Sequence, residues 1–466
     1  MEVAAGIAEI LSAHWGAAVS VTNLRRLTGG ASRQIWSFDA VHSEGTGGYV
    51  LRRDPPGHGD APRMRAEAAC LRAARAAGVP VPEVVVAADT APGLDAPFLI
   101  MERLPGESIP RKIQRNEGLS GARTRLAGEL GGILARIHAV PVSEVAMLGT
   151  DDPLHVVQDL YRSFSEPRPV VEIALRWLNA HRPPAHGKAL VHGDFRLGNL
   201  LIAGDGTAGV LDWELAHIGD PVEDLGWLCV RAWRFGGDAP VAGVGTREEL
   251  LDGYERVARW RPDPKDLHWW EVFGTLRWLV LGRFQAQKHI AGTEPSAELA
   301  AIGRRVCESE WDLLRIMGLV DDVVPPPEPV PAPELPGDLH GLPGVADLLD
   351  AVIEELGDGI APSLTDAGAA YRLKICTSLL RVVRREHQIG SGQRVAHSGR
   401  LARVDCRDEA ELALRLRNGG LDMSDPDVHS AVIGAVVERL RVANPRHFDP
   451  HRTQGSSQPA GSAGPL

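Results

Sequence analysis

A chain of 466 residues is longer than one hydrophobic core ordinarily organises, and it points to two or three compact units. Its content of 44% hydrophobic and 24% charged residues is that of a soluble globular protein, and no run of about 18 uncharged apolar residues reads as a membrane span. The formal charge of -11 disfavours general nucleic-acid binding, although a local basic cleft for an anionic ligand stays open.

The first 20 residues lack the basic start, apolar middle and small-residue cleavage site of a secretory signal, so a cytoplasmic location is expected. A helix opens the chain, and an antiparallel meander follows in VTNLRRLT, RQIWSFDAV and GGYVLRR, its first two strands joined by GGAS. Residues 63–77 place Met64, Ala68 and Leu71 at helical spacing and stop at Gly78. PEVVVAAD and PFLIMERL supply two more strands. From Gly121 onward the pattern is mainly helical, apart from short strands in residues 189–214. The proline-dense stretch 321–340 reads as an extended linker. Residues 341–448 carry amphipathic helical runs, and the Pro/Gly/Ser-rich tail 449–466 reads as disordered. The cysteines Cys70, Cys229, Cys307, Cys376 and Cys406 are odd in number and without CxxC spacing; they read as buried thiols rather than a disulfide framework or zinc site.

Chemistry concentrates in residues 191–214, VHGDFRLGNLLIAGDGTAGVLDWE. Phosphoryl transfer needs a carboxylate to orient and take the proton of an attacking hydroxyl, and an amide oxygen with a second carboxylate to hold magnesium on nucleotide phosphates. Asp194 and Asn199 have the Asp-x-x-x-x-Asn spacing of that task, and Asp212 closes the following hairpin.

These residues resemble the aminoglycoside phosphotransferase and choline kinase family of small-molecule kinases, with His192, Gly193, Asp194, Asn199, Asp212 and Glu214 matching its HGDxxxxN and D-x-E motifs. The resemblance implies an α+β fold: a two-lobed protein-kinase-like domain over residues 1–320, with an antiparallel-sheet N-lobe to about 104 and a mainly helical C-lobe to 320. A separate all-α domain would occupy 341–448. It further implies Mg2+ held by Asn199, Asp212 and Glu214, ATP or GTP as donor, and Asp194 as the base. Gly29, Gly30 and Ser32 fall where the family places its nucleotide loop. Arg52 stands where the family carries a lysine paired with a helix glutamate, here Glu67; a planar fork thus replaces a point charge. The backbone near Glu102 and Leu104 would meet the adenine, and Asp220 and Asp224 would buttress the catalytic loop. VLRR and PPG resemble the branch related to the kinase-like domain fused to certain acyl-CoA dehydrogenases.

His138 reads as a helix-face residue, His192 as a brace of the catalytic loop, and the tryptophans between 260 and 278 as core. In residues 268–289 Glu271 is the only acid beside Arg277, Arg283 and Lys288, a wall suited to an acceptor with an apolar body and an anionic end, such as a hydroxyacyl-CoA. An aminoglycoside or macrolide kinase and a catalytically silent nucleotide-binding pseudokinase are the alternatives. The partners expected are a small-molecule hydroxyl acceptor, with no nucleic acid and no membrane. The C-terminal helices resemble a domain of unknown function met beside such kinases, which leaves docking on the kinase, a homodimer or contact with a partner enzyme open.

Overall fold

The computed structural model describes residues 2–27, 33–43, 45–57, 59–320 and 341–448. The turn 28–32, the linker 321–340 and the tail 449–466 lie outside them. In chain order the main elements are α1 (Glu2–Trp15), β1 (Ser20–Leu27), β2 (Gln34–His42), β3 (Gly45–Arg53), α2 (Ala61–Ala76), β4 (Val84–Ala88), β5 (Phe98–Glu102), α3 (Pro110–Arg115) and α4 (Ser120–His138). Next come α5 (Pro153–Ser163), α6 (Pro169–Ala180), β6 (Ala189–Val191), β7 (Leu200–Ala203), β8 (Gly206–Val210), β9 (His217–Gly219), α7 (Val222–Cys229), α8 (Arg247–Ala258) and α9 (Pro264–Ile290). The remaining helices are α10 (Ala297–Arg304), α11 (Val306–Ile316), α12 (Val345–Glu354), α13 (Ala367–Arg403), α14 (Glu409–Arg417) and α15 (Pro426–Ala443). Contacts group them into two compact units, Met1–Asp152 with Pro184–Glu271, and Pro153–Pro183 with Val272–Leu466. No helix among the described residues is long and apolar enough to cross a membrane.

In the first unit the expected meander forms a five-stranded antiparallel sheet of order β1-β2-β3-β5-β4. Its inner face buries Phe38, Leu51, Phe98 and Ile100 against Ile7 and Leu11 of α1, the apolar burial that holds a twisted sheet to a helix. The helix α2 starts where the Asp60 side chain accepts the Arg63 backbone N–H at 3.0 Å, with proline in its first turn. It buries Met64, Glu67, Ala68 and Leu71 along one stripe, so an acid sits within an apolar face. Helix α4 packs tightly on α8 because Gly131 and Gly253 let backbones approach; a Cβ on either would overlap the facing helix.

In the second unit the C-terminal helices α14 and α15 pack on α6 and α11. Few contacts were to be expected across the proline-rich stretch, but buried acids join the helices on either side of it. Glu310, 0% exposed, accepts from Arg168 at 3.0 Å and from Arg439 at 3.1 Å. Glu172 accepts from Arg417 through Nε at 2.8 Å and from the Tyr161 hydroxyl at 2.7 Å. His447 meets Asp312 at 3.0 Å. Cys70, Cys229, Cys307 and Cys406 are buried thiols, whereas Cys376 on α13 is exposed.

Candidate active site

The loop 192–199 runs between β6 and the β7–β8 hairpin, and backbone geometry restricts its residues. Gly193 has φ +78°, and a Cβ there would overlap the Leu215 carbonyl, so only glycine fits. The fully buried Asp224, near the start of α7, accepts the backbone N–H groups of His192 at 2.8 Å and Gly193 at 2.9 Å. Burial raises its pKa, but the hydrogen bond and charge of His138, together with His192, outweigh this and hold the carboxyl below the usual range. His138 thus positions the loop through Asp224, and its other ring nitrogen meets the Tyr254 hydroxyl at 3.0 Å. Asp220 serves elsewhere: it accepts from the backbone and ring of His186, which stacks on Trp260. His192 braces the loop as expected, its Nε2 donating to the Leu211 carbonyl at 3.0 Å and its Nδ1 accepting from the Asp194 N–H at 3.2 Å.

Asp194 is surrounded by donors. Asn199 Nδ2 donates to Oδ2 at 2.7 Å, Trp227 Nε1 to Oδ1 at 3.0 Å, and Arg196 Nε to both oxygens at 3.0 and 3.1 Å. The Arg196 guanidinium lies 4.8 Å from the centroid of Trp233. Neither Arg196 nor the two tryptophans were singled out from sequence, though Arg196 stands only two residues after Asp194. Asn199 spends its amide N–H on Asp194, which leaves its carbonyl oxygen for a cation. The Asn199 carbonyl on the main chain accepts from Leu211 at 2.9 Å, tying the loop to the hairpin end where Asp212 adopts a left-handed φ of +67°.

Arg52, on β3 and 7% exposed, joins the remaining charges. Its Nη1 donates to Glu67 Oε1 at 2.6 Å, and its Nη2 reaches Asp212 Oδ1 at 2.7 Å and Glu214 Oε2 at 3.3 Å. Burial works against the guanidinium, yet Glu67 and Asp212 raise its pKa above the ordinary arginine value. For Asp212 burial raises the pKa, but Arg52 holds it below the usual carboxylate range overall. Arg52 Nε is buried without a hydrogen-bond partner among the described residues. Glu67 also pairs with Arg33, which sequence reading passed over.

Glu102 ends β5, its N–H donating to the Glu83 carbonyl at 2.9 Å, and Leu104 packs over Gly209 of β8. Of the residues expected at the adenine, Leu104 therefore adjoins the hairpin that precedes Asp212. Gly29, Gly30 and Ser32 lie outside the described residues. The expected acceptor wall on α9 is largely committed elsewhere. Glu271 is buried and held by Arg234 at 3.1 Å and Arg247 at 2.6 Å. In the second unit Arg283 donates to Glu166 at 2.9 and 2.7 Å, and Lys288 stands 3.5 Å from Glu294.

An antiparallel sheet with a buried Arg–Glu pair, followed by an Asp/Asn loop and a hairpin ending in Asp, defines a kinase-like phosphoryl-transfer protein. Residues 23–260, just over half of the chain, match the phosphotransferase enzyme family, and the chain belongs to that family. Residues 362–447 match a domain of unknown function, DUF6285. The chain is 31% identical over 194 residues to acyl-CoA dehydrogenase family member 10 of Mus musculus, an alignment covering 39% of this chain and 18% of that one. Over 204 residues it is 28% identical to acyl-CoA dehydrogenase family member 11 of Rattus norvegicus, covering 40% and 25%. It thus spans a quarter or less of the length of these curated relatives. A solved structure from Ralstonia eutropha, itself only provisionally named an aminoglycoside phosphotransferase, shares the fold with a TM-score of 0.54 and 23% identity over 67% of this chain and 98% of that one.

Proposed function

We propose that this phosphotransferase moves the γ-phosphoryl group of ATP or GTP to a hydroxyl of a small molecule, with Asp194 orienting that hydroxyl and taking its proton. The observation that carries the reading is the convergence of Asp194, Asn199 and Asp212: Asn199 donates to Asp194 and accepts the backbone N–H of Leu211, the residue before Asp212, and Arg52 reaches Asp212 from the sheet. Asn199, Asp212 and Glu214 offer oxygen donors that fit Mg2+, a hard cation that takes further oxygens from nucleotide phosphates. When bound, the ion would neutralise charge on the transferred group. The unpartnered Nε of Arg52 supplies a donor for a phosphate oxygen.

For the acceptor we infer a hydroxyacyl-CoA. With Arg283 and Lys288 in ion pairs of their own, the support for this class is the kinship with proteins named as acyl-CoA dehydrogenase family members. One observation favours a second reading, a nucleotide-binding module without turnover: Arg52 already occupies the carboxylate that a metal would need. Aminoglycosides and macrolides remain comparison acceptors. The test is a phosphate-transfer screen with purified protein, Mg2+ and ATP or GTP against hydroxyacyl-CoA, aminoglycoside, macrolide and choline-like acceptors. Turnover on the acyl-CoA class supports the reading. Faster turnover on an aminoglycoside overturns the acceptor assignment, and nucleotide binding with no transfer to any class favours the silent module.

A further inference from the structure

The carboxylate of Asp194 is engaged on both oxygens by the protein's own donors. Asn199 occupies Oδ2, Trp227 occupies Oδ1, and the single Nε–H of Arg196 is shared between the two at 3.0 and 3.1 Å. An ionised carboxylate offers about four lone-pair sites, so a hydroxyl that is to hand over its proton must displace one of these donors. They are not equally fixed. Trp227 is 2% exposed on α7, and Asn199, 7% exposed, donates also to the main-chain carbonyl of Asp194. The Arg196 side chain is 24% exposed, and one N–H split between two acceptors makes each bond weak. Its guanidinium otherwise rests on the face of Trp233 at 4.8 Å, a contact that persists as the group slides. Gly198 leaves it room, since a Cβ there would stand 2.6 Å from Nη1. The Nη groups of Arg196 make no hydrogen bond among the described residues, so their donors stand beside the base unspent.

We propose that Arg196 determines which acceptor reaches the base. Its guanidinium caps Asp194 and leaves the carboxylate when the acceptor itself brings an acyl oxygen, as carboxylate or thioester carbonyl, to the Nη groups. The Nε and Nη nitrogens share one carbon, so in such an acceptor the hydroxyl and the acyl oxygen lie only a few bonds apart. An ammonium beside the hydroxyl, as in an aminoglycoside, repels the guanidinium and gives it no oxygen to move to. This deepens, and rests on, the reading of Asp194 as the base, and it supports a hydroxyacyl acceptor on grounds separate from kinship.

The experiment uses full-length protein with Mg2+ and ATP and measures ADP release with 3-hydroxybutyrate, 3-hydroxybutyryl-CoA, kanamycin or water alone as acceptor. In Arg196→Met the cap and the acyl contact are lost together. The kcat/KM for the two acyl acceptors should fall about tenfold to hundredfold, the scale of one charge-assisted hydrogen bond. Transfer to kanamycin and to water should hold or rise, because the carboxylate is uncovered. The ratio of the two acyl losses separates a carboxylate from a thioester carbonyl as the group that Arg196 meets. Gly198→Ala crowds Nη1 and keeps the charge; it should shift the preference the same way by a smaller factor, and it keeps the proposal testable if Arg196→Met does not fold. An equal loss on every acceptor, water included, puts Arg196 on the transferred phosphoryl group and overturns the proposal. So does an unchanged preference in both variants, or a wild type that uses the acyl acceptors no better than kanamycin. A wild type that releases no ADP even to water overturns the reading of Asp194 beneath it.

Discussion

Replacing Arg52 by methionine keeps most of the side-chain length and removes the charge, together with the bonds to Glu67 at 2.6 Å and Asp212 at 2.7 Å. Two charge-assisted hydrogen bonds at roughly 1.5–3 kcal/mol each set a ceiling of about 6 kcal/mol. Two features lower it. Glu67 keeps Arg33, and the Asp212 side chain is 35% exposed, so water takes over part of its solvation. A loss of about 2–3 kcal/mol remains. In the wild type Arg33 pairs with Asp54 and Glu67, and Arg52 with Glu67, Asp212 and Glu214; in the variant Arg33 keeps its two partners while Asp212 and Glu214 lose their guanidinium. Mg2+ should therefore stabilise the variant more than the wild type. The pH dependence has a definite sign. Burial raises the Asp212 pKa and Arg52 brings it below the usual value, so in the wild type this group contributes stability above the unfolded pKa of about 3.9 that is lost as pH falls through the folded value. Without Arg52 the folded pKa rises, and the stability that Asp212 contributes above its unfolded pKa shrinks. The variant's deficit is then largest near neutral pH and narrows toward about pH 4. Urea denaturation at both pH values, with and without Mg2+, measures it. Equal stability at neutral pH, or a deficit that grows on acidification, refutes the network.

Asp212→Ala should abolish the Mg2+ dependence of nucleotide binding while the protein still folds, as read by calorimetry with and without the ion. Arg439→Met removes one of two guanidiniums on the fully buried Glu310, at a cost of about 3 kcal/mol. Burial raises the Glu310 pKa, but Arg439 and Arg168 bring it below the usual range; its contribution is present above the unfolded value of about 4.3 and lost below it, so in the variant the acid limb of the stability curve should move to higher pH. A chain ending at residue 320 uncovers the faces of α6 and α11 that α14 and α15 cover, and it should melt earlier and associate in size-exclusion chromatography.

The loop chemistry was legible because it is local: Asp194, Asn199 and Asp212 lie within one loop and one hairpin, so spacing alone fixes their neighbourhood. The meander was legible for the same reason, strand following strand through short turns. Pairings formed by tertiary packing were not. Arg283 looked free to meet an acceptor, but its partner Glu166 is 117 residues away in sequence. Glu271 looked like the acid of an open wall, yet α8 and the segment before it fold Arg247 and Arg234 over it. Arg33 carried no motif, and only the folded sheet brings it to Glu67. Helix α13 runs from Ala367 to Arg403 through Gly390 and Gly392, which are buried within it, so packing outweighs their poor helix propensity. The proline-rich stretch read as a linker in sequence but said nothing of Arg417 and Arg439 reaching back to Glu172 and Glu310.

The central claim is that Asp194 is the base of a phosphoryl transfer rather than a structural acceptor of hydrogen bonds. Asp194→Asn keeps the size of the side chain and removes the carboxylate that orients and takes the proton. Nucleotide affinity and turnover should be measured on the same preparations, with the acceptor that the screen identifies. Affinity should stay within a few-fold of the wild type, while turnover falls by about 10²-fold or more, the usual scale for loss of a general base. Equal turnover by the wild type and Asp194→Asn would contradict the assignment of Asp194 and the mechanism built on it.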